Sequence, residues 1–159
     1  MKISGLNRVG VFGVLAFSAL LVGCGGDSDP QVIEEVTFAA SLGVNLAAMD
    51  VLPSGVYTGD PTVGAGELVV DGSEIAITYT GWLTDGTQFD SSGFSMTVGV
   101  TNLVPGFTAG VLGMRVGGTR LVVIPPAQAY GQNEVGDIPP GSILVFEITV
   151  DSMEPSPVS

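Results

Sequence analysis

Residues 77–92 read ITYTGWLTDGTQFDSS: an alternating apolar stretch, an Asp85-Gly86 pair, and a second stretch that ends on Phe89-Asp90. An Asp-Gly pair between two alternating runs is a strong signal for a β-hairpin with a tight turn. The stretch therefore predicts antiparallel sheet. It also raises the question of why the hairpin brings an aromatic ring and a carboxylate together at its end.

Short strand-like runs recur outward from this hairpin, each bounded by Gly, Pro, Asp or Asn. Only one segment has helical spacing, from Val104 to Leu112, with Pro105 in its first turn and Gly113 just past its end. One short helix can cover one face of a sheet, so the pattern predicts an α+β fold, a twisted antiparallel half-roll wrapped on that helix. The predicted strands are 56–58, 68–70, 75–83, 87–90, 94–98, 119–124 and 143–150.

Alternation along the strands predicts which side chains face the helix. In strand 75–83, Ile75, Ile77 and Tyr79 share the helix-facing side, and Trp82 lies on the other side as a partly exposed residue. In the last strand the helix-facing set is Leu144, Phe146, Ile148 and Val150.

The N-terminal segment has the features of an export signal. Lys2 and Arg8 precede an apolar run from Val9 to Val22, which is short for a membrane span and typical of a secretory signal. Residues 21–24 read LVGC and resemble a bacterial lipobox, which implies cleavage before Cys24, the chain's single cysteine, and attachment of lipid to its sulfur. The alternative is a plain signal peptide with a chance cysteine.

These signals divide the chain into four parts. Residues 1–23 are predicted to be a signal peptide, 24–54 an acidic tether and pre-domain segment, 55–153 the folded domain and 154–159 a tail. The segment 31–54 has no clean period, so it is predicted either to hold a short helical turn near 36–42 or to lie extended over the domain. We expect a monomer in the cell envelope, on the periplasmic side or at an outer membrane.

Charge and composition exclude many functions. After cleavage, Arg115 and Arg120 remain against all 16 acidic residues, a net side-chain charge of −14, which repels nucleic acid and anionic lipid. Membrane contact is therefore expected only through the lipid anchor. The mature part has no His and no Lys, and its one Cys is assigned to lipid, which excludes Ser-His-Asp and Cys-His catalysis, Schiff-base chemistry and His- or Cys-ligated metal sites.

Three stretches in order carry a family resemblance: residues 77–92, VPGFTAGVLGMRVGGTRLVVIPPAQAYG at 104–131, and DIPPGSILVFEITV at 137–150. They resemble the FKBP-type peptidyl-prolyl cis-trans isomerases, and the likeness covers Gly55 to Met153. The resemblance implies an enzyme that rotates X-Pro bonds in exported unfolded or extended proteins. It needs no cofactor or metal, and binds proline-containing polypeptides and the macrolide inhibitors tacrolimus and rapamycin.

The resemblance also implies which residues form the prolyl site. Asp90, Tyr130 and Val104 would be catalytic: Asp90 polarises the mouth, the Tyr130 hydroxyl and the Val104 N–H donate to peptide carbonyls, and Phe107 is the floor. The implied substrate-binding residues are Tyr79, Phe89, Met96, Leu103, Phe107, Ile138 and Phe146. Taken singly, the aromatic residues could be ordinary core, Asp90 a turn cap and Tyr130 a loop anchor.

Several residues depart from the family pattern. Only Gly93 stands between FDSS and Phe94, where the family has a longer bulge with an arginine, so Asp90 is expected to lack an orienting partner. Phe107 replaces a tryptophan, Met96 replaces an aromatic residue, Asn102 stands at a position where an acid is frequent, and loop 132–138 is slightly shortened. We therefore expect reduced activity or altered selectivity.

Two other functions stay open from the sequence. One is a weakly active chaperone or binding module of the cell envelope with the same fold. The other is a structural envelope lipoprotein whose pocket is vestigial.

Overall fold

A computed structural model describes residues 31–154 as a six-stranded antiparallel sheet with one α-helix. The helix and strands are β1 Asp50–Val51, β2 Tyr57–Thr62, β3 Glu74–Leu83, β4 Gln88–Thr97, α1 Pro105–Val111, β5 Thr119–Ile124 and β6 Leu144–Met153. The strands pair in the order β1-β2-β5-β6-β3-β4, so the hairpin β3–β4 lies at one edge and the last strand, β6, lies in the interior. The predicted α+β fold class is confirmed.

The helix α1 lies directly on the sheet because two of its residues have no side chain. A Cβ on Gly106 would lie 2.2 Å from Ile124 Cγ2, and a Cβ on Gly110 would lie 2.7 Å from Val122 Cγ1. Pro105 opens the helix as predicted, and no side chain caps its N-terminus. This close approach fixes the first turn of the helix against β5.

An inner cluster of apolar side chains fills the space between α1 and the sheet, and the predicted alternation is confirmed in both β3 and β6. The buried members are Val56, Val69, Ile75, Ile77, Met96, Val98, Phe107, Val111, Met114, Val122, Ile124, Ile138, Leu144, Phe146, Ile148 and Val150.

An outer cluster covers the opposite face of the sheet, where residues 31–49 cross it. This segment contains three short 3₁₀ turns, Ile33–Glu35, Ala40–Leu42 and Leu46–Ala48. Of the two alternatives, the short helical turn near residues 36–42 is present, as Ala40–Leu42. Trp82 is half-buried against this cluster, as predicted for the face away from the helix. The buried members are Ile33, Leu42, Tyr57, Leu121, Val123, Ile143 and Val145.

The predictions for three strands are wrong. Residues 87–90 and 94–98 form the single strand β4, because Gly93 pairs with Thr78 in unbroken register. Residues 68–70 make one isolated bridge, from Leu68 to Arg115, instead of a strand.

The predicted signal peptide, Cys24 and residues 155–159 of the predicted tail lie outside the described residues. Within residues 31–154, no helix is long and apolar enough to cross a bilayer.

Candidate active site

A β-bulge at the start of β4 explains why the hairpin ends on Phe89 and Asp90. Gly81 pairs with Asp90 while its neighbour Trp82 pairs with Gln88, so Phe89 is an extra residue in β4. A regular strand would send Phe89 and Asp90 to opposite faces. The bulge instead lets Phe89 pack on the inner cluster while Asp90 accepts a hydrogen bond from the Tyr79 hydroxyl on that same side.

Gly81 provides the room for this arrangement. A Cβ at this position would lie 2.7 Å from Phe89 Cζ and 2.8 Å from Phe146 Cε1. These distances are shorter than carbon atoms tolerate, so the two rings occupy the space that a side chain on Gly81 would need. The ring centroids of Phe89 and Phe146 lie 5.5 Å apart at 87°, an edge-to-face contact.

Aromatic rings from three strands and the helix meet on the helix-facing side of the sheet. The Phe107 ring from α1 lies 5.2 Å from Phe146 and 5.7 Å from Tyr79, both edge-to-face. Tyr79 also meets Phe94 at 5.7 Å and 86°. The sequence interpretation did not place Phe94 in the site, although its spacing of two from Met96 already put both on one face of the strand.

The floor of this aromatic group is almost covered by its own neighbours. Phe107 is 4% exposed and Phe146 5% exposed, whereas Tyr79 and Phe89 are half-buried and form part of the accessible rim. A surface depression of about 440 Å³ between residues 99–105 and the outer side of α1 includes Leu103 but none of the aromatic rings. The chemistry of the rings, rather than the size of a cavity, therefore marks the site.

Tyr79 gives Asp90 the partner that the sequence did not predict. Burial of the Tyr79 hydroxyl and its hydrogen bond to the Asp90 carboxylate raise the pKa of Tyr79 to about 12. Tyr79 therefore remains a protonated donor at neutral pH. The expectation that Asp90 lacks an orienting partner is wrong, and so is the turn-cap alternative, because Asp90 lies within β4.

Two donors at the rim are free to bind a ligand. Val104 is the N-cap of α1, and its carbonyl accepts from the Phe107 N–H at 3.0 Å, while no described residue accepts from the Val104 N–H. No hydrogen bond to the Tyr130 hydroxyl occurs within residues 31–154 either. Tyr130 is held instead through its carbonyl, which accepts from the Asn133 side chain at 3.1 Å.

The structure brings the predicted site residues together. All of them contact the inner cluster or belong to it, apart from Asp90, which is joined through Tyr79. The buried ones are Met96, Phe107, Ile138 and Phe146, and the half-buried ones are Tyr79, Phe89, Leu103, Val104 and Tyr130. Their roles in catalysis remain predictions.

A family model described as FKBP-type peptidyl-prolyl cis-trans isomerase matches residues 66–151, more than half of the chain. The chain belongs to this family of enzymes. The family that the sequence resembles is therefore confirmed.

Relatives of this FKBP-type chain range from small proteins to much longer ones. The FK506-binding protein of Neisseria meningitidis serogroup B is 40% identical over 100 residues, which cover 59% of this chain and 92% of that protein. FK506-binding protein 3 of Yarrowia lipolytica is 40% identical over 103 residues, 62% of this chain but only 25% of the relative. The chain thus spans about a quarter of that longer protein.

A solved structure shares the FKBP-type fold. The peptidyl-prolyl cis-trans isomerase of Pseudomonas syringae pv. tomato superposes with a TM-score of 0.63 at 28% identity, over 73% of this chain and 87% of that one.

Proposed function

We propose that this protein is a lipid-anchored prolyl isomerase of the cell envelope, which rotates X-Pro bonds in exported polypeptides that are unfolded or extended. The observation that carries the isomerase part of this proposal is the closed group of aromatic rings bordered by the Tyr79–Asp90 pair and by the free Val104 N–H.

The reaction suits a site without nucleophiles. Rotation about an X-Pro bond is opposed by amide resonance, with a barrier of about 18–20 kcal/mol, and no covalent bond is made or broken. An apolar surface disfavours the planar, charge-separated form of the imide and so favours the twisted form. Lowering the barrier by about 7 kcal/mol would accelerate rotation roughly five powers of ten.

The polar rim would hold the peptide around the twisting bond. The proline ring rests on Phe107, the Val104 N–H donates to a peptide carbonyl and the Tyr130 hydroxyl donates to a second. Asp90, oriented by Tyr79, places negative charge beside the imide, where it stabilises the charge distribution of the twisted state. Macrolides of the FK506 class, which the names of two relatives mention, would occupy the same surface.

Isomerase activity of residues 27–159 toward a proline peptide, measured without a coupling protease, tests the proposal. Asp90→Asn removes the charge and should lower the rate constant several-fold with little change in thermal stability. Tyr130→Phe should weaken peptide and macrolide binding while the fold stays intact. The matched control is Asp151→Asn, because Asp151 is also an exposed strand carboxylate with a hydroxyl partner, Thr78, at 2.7 Å, but lies on the outer face.

Wild-type activity indistinguishable from the uncatalysed rate would reject the isomerase and favour a binding module. If Asp90→Asn and Asp151→Asn both match an active wild type, the Asp90 charge has no role and the apolar surface works with the Val104 N–H alone.

Anchoring through Cys24 would place the enzyme at the membrane surface. Seven residue steps separate Cys24 from Gln31, the first described residue, so the Cα of Gln31 lies at most about 25 Å from the Cα of Cys24, at roughly 3.5 Å per step. Support for the anchor comes from the LVGC stretch after the apolar run and from the use of the chain's single cysteine there.

The Cys24→Ser variant tests the anchor. One thioether carries the acyl chains, so wild-type protein should partition into the detergent phase and Cys24→Ser should stay unprocessed or enter the aqueous phase. Equal partitioning of the two mature proteins would show that lipid is not attached at Cys24.

A further inference from the structure

Residues 31–41, called the strap below, are fastened to the outer face of the sheet. Ile33 is 3% exposed in the outer cluster, and the adjacent Glu34 accepts a hydrogen bond from the Tyr57 hydroxyl. The strap is therefore a fixed part of the fold, held to β2 and to the apolar side chains beneath it.

The start of the strap binds the end of the loop that contains one site residue and directly follows another. The Gln31 N–H donates to the Gly141 carbonyl at 3.3 Å, and Gln31 Oε1 accepts from the Ile143 N–H at 3.2 Å. Residues 131–141 form this loop, which is closed by the Gly141 N–H donating to the Gly131 carbonyl at 2.7 Å. Tyr130 directly precedes the loop and Ile138 lies within it, so Gln31 holds the loop at its root.

The other end of the strap binds the turn of the β3–β4 hairpin. The Ala39 N–H donates to the Thr84 carbonyl at 2.8 Å, and Ala39 and Ser41 lie against Gly86. β4 leaves this turn and reaches the Phe89–Asp90 bulge within a few residues. The strap therefore touches both segments that border the site.

The hairpin turn and the loop have no direct hydrogen bond to each other among the described residues. A depression of about 270 Å³ separates them, lined on one side by residues 83–85 and on the other by 139–143, and Gln31 lies in its wall. The strap thus adds a hydrogen-bonded connection between the two, beside the strand pairing of Leu83 with Leu144.

We propose that the strap is a positioning element of the prolyl site, and that Gln31 is its positioning residue for the loop with Tyr130 and Ile138. This inference rests on the proposed isomerase function. Gln31 touches no substrate. It limits the relative movement of the loop and the hairpin turn, so that the Tyr130 hydroxyl and Asp90 meet one peptide at a fixed separation. Small misplacements of such groups lower rates strongly.

Three variants of the mature chain separate positioning from a general structural role. Gln31→Ala removes the acceptor for the Ile143 N–H, Gln31→Glu keeps an Oε acceptor, and Val32→Ala changes a neighbouring side chain that is 50% exposed. We expect Gln31→Ala to lower kcat/KM about three- to tenfold, mainly through KM, with an unchanged thermal midpoint. Gln31→Glu should keep most of the wild-type kcat/KM, and Val32→Ala should have the same kcat/KM as the wild type.

Amide hydrogen exchange of the loop gives a readout that does not depend on catalysis. Exchange at Ile138, Gly141 and Ile143 should be faster in Gln31→Ala than in Gln31→Glu or Val32→Ala. An inactive wild type would reject the isomerase function, yet faster loop exchange would still support the mechanical connection. The positioning role would be overturned if all three variants had equal kcat/KM and equal loop exchange. It would also be overturned if Gln31→Ala and Gln31→Glu lost equal amounts of kcat/KM.

Discussion

At the scale of single residues, the Tyr79 hydroxyl is the partner that orients the Asp90 carboxylate. Tyr79 comes from β3 and Asp90 from the bulge in β4, so the pair depends on the register of these two strands. The sequence predicted that Tyr79 and Asp90 line one site. It could not predict their bond, because the bond depends on an extra residue in one strand, which alternation does not reveal.

The raised pKa of Tyr79 predicts how stability changes at alkaline pH. The folded protein holds the Tyr79 proton until about pH 12, whereas an ordinary tyrosine loses it near 10, so unfolding in this window releases a proton. The free energy of unfolding should therefore fall as pH rises from about 10 toward 12. Urea denaturation at several pH values should show a shallower fall for Tyr79→Phe than for wild type.

The residual slope in Tyr79→Phe should come partly from Tyr57, whose hydrogen bond to Glu34 also raises its pKa. The Tyr57→Phe variant, and the double variant with Tyr79→Phe, measure how much of the slope with pH comes from each tyrosine. An identical slope in Tyr79→Phe and wild type would show that neither burial nor the bond to Asp90 raises the pKa of Tyr79 in solution.

At the scale of elements, the strand β4 shows which features of the site local patterns reveal. The Asp85-Gly86 turn and the apolar alternation of β3 located the hairpin correctly. Residues 91–93 were predicted to separate two strands, but Gly93 pairs normally with Thr78. The pairing with β3 and the packing of β4 on the inner cluster outweigh the weak strand preference of glycine. The same continuity brings Phe94 into the aromatic group, a contact that two separate strands did not predict.

Gly81→Ala tests whether the rings of Phe89 and Phe146 need the space above β3. The added methyl would lie within 2.8 Å of both rings, so they must move, and overpacking of this kind costs about 1–3 kcal/mol. Isomerase activity should fall as well, because both rings border the site. Gly59→Ala is the matched control in β2, since its nearest neighbour is the flexible Met49 side chain at 3.2 Å.

Chemical denaturation and the peptide assay measure the two effects of Gly81→Ala. Gly59→Ala should be close to wild type in both measurements. A Gly81→Ala protein as stable and as active as Gly59→Ala would show that the aromatic wall adjusts without cost.

At the scale of the whole molecule, both faces of the sheet are covered, one by α1 and the other by residues 31–49. The sequence predicted the first covering from the helical spacing of Val104 to Leu112. It did not predict how residues 31–49 cover the other face, because a segment of short 3₁₀ turns has neither a helical nor a strand period. Its apolar residues are fixed only by the sheet face that they meet.

Negative charge dominates the surface of the molecule, which has a formal net charge of −12. Arg120 is the cation of the ion pair with Asp60 and also donates to the carbonyls at the end of α1, while Arg115 donates to the Gly66 carbonyl. The two described arginines thus lie among many carboxylates that have no cationic partner within residues 31–154. Mutual repulsion of these carboxylates lowers the stability of the compact state.

Salt should therefore stabilise this protein. Two like charges 10 Å apart in water repel by about 0.4 kcal/mol, and the Debye length shrinks from about 10 Å at 0.1 M salt to 3 Å at 1 M. Summed over the surface, we expect the free energy of unfolding to rise by about 1–2 kcal/mol between 0.1 and 1 M NaCl. The free energy of unfolding of a double variant, Glu67→Gln with Asp71→Asn, should rise less over this range of salt, because both side chains are exposed and make no hydrogen bond with a described residue.

Urea denaturation at each salt concentration, with sucrose as an uncharged control, measures the change in the free energy of unfolding. Stability that stays constant or falls with NaCl would mean that screening of the Arg120–Asp60 pair outweighs the relief of repulsion.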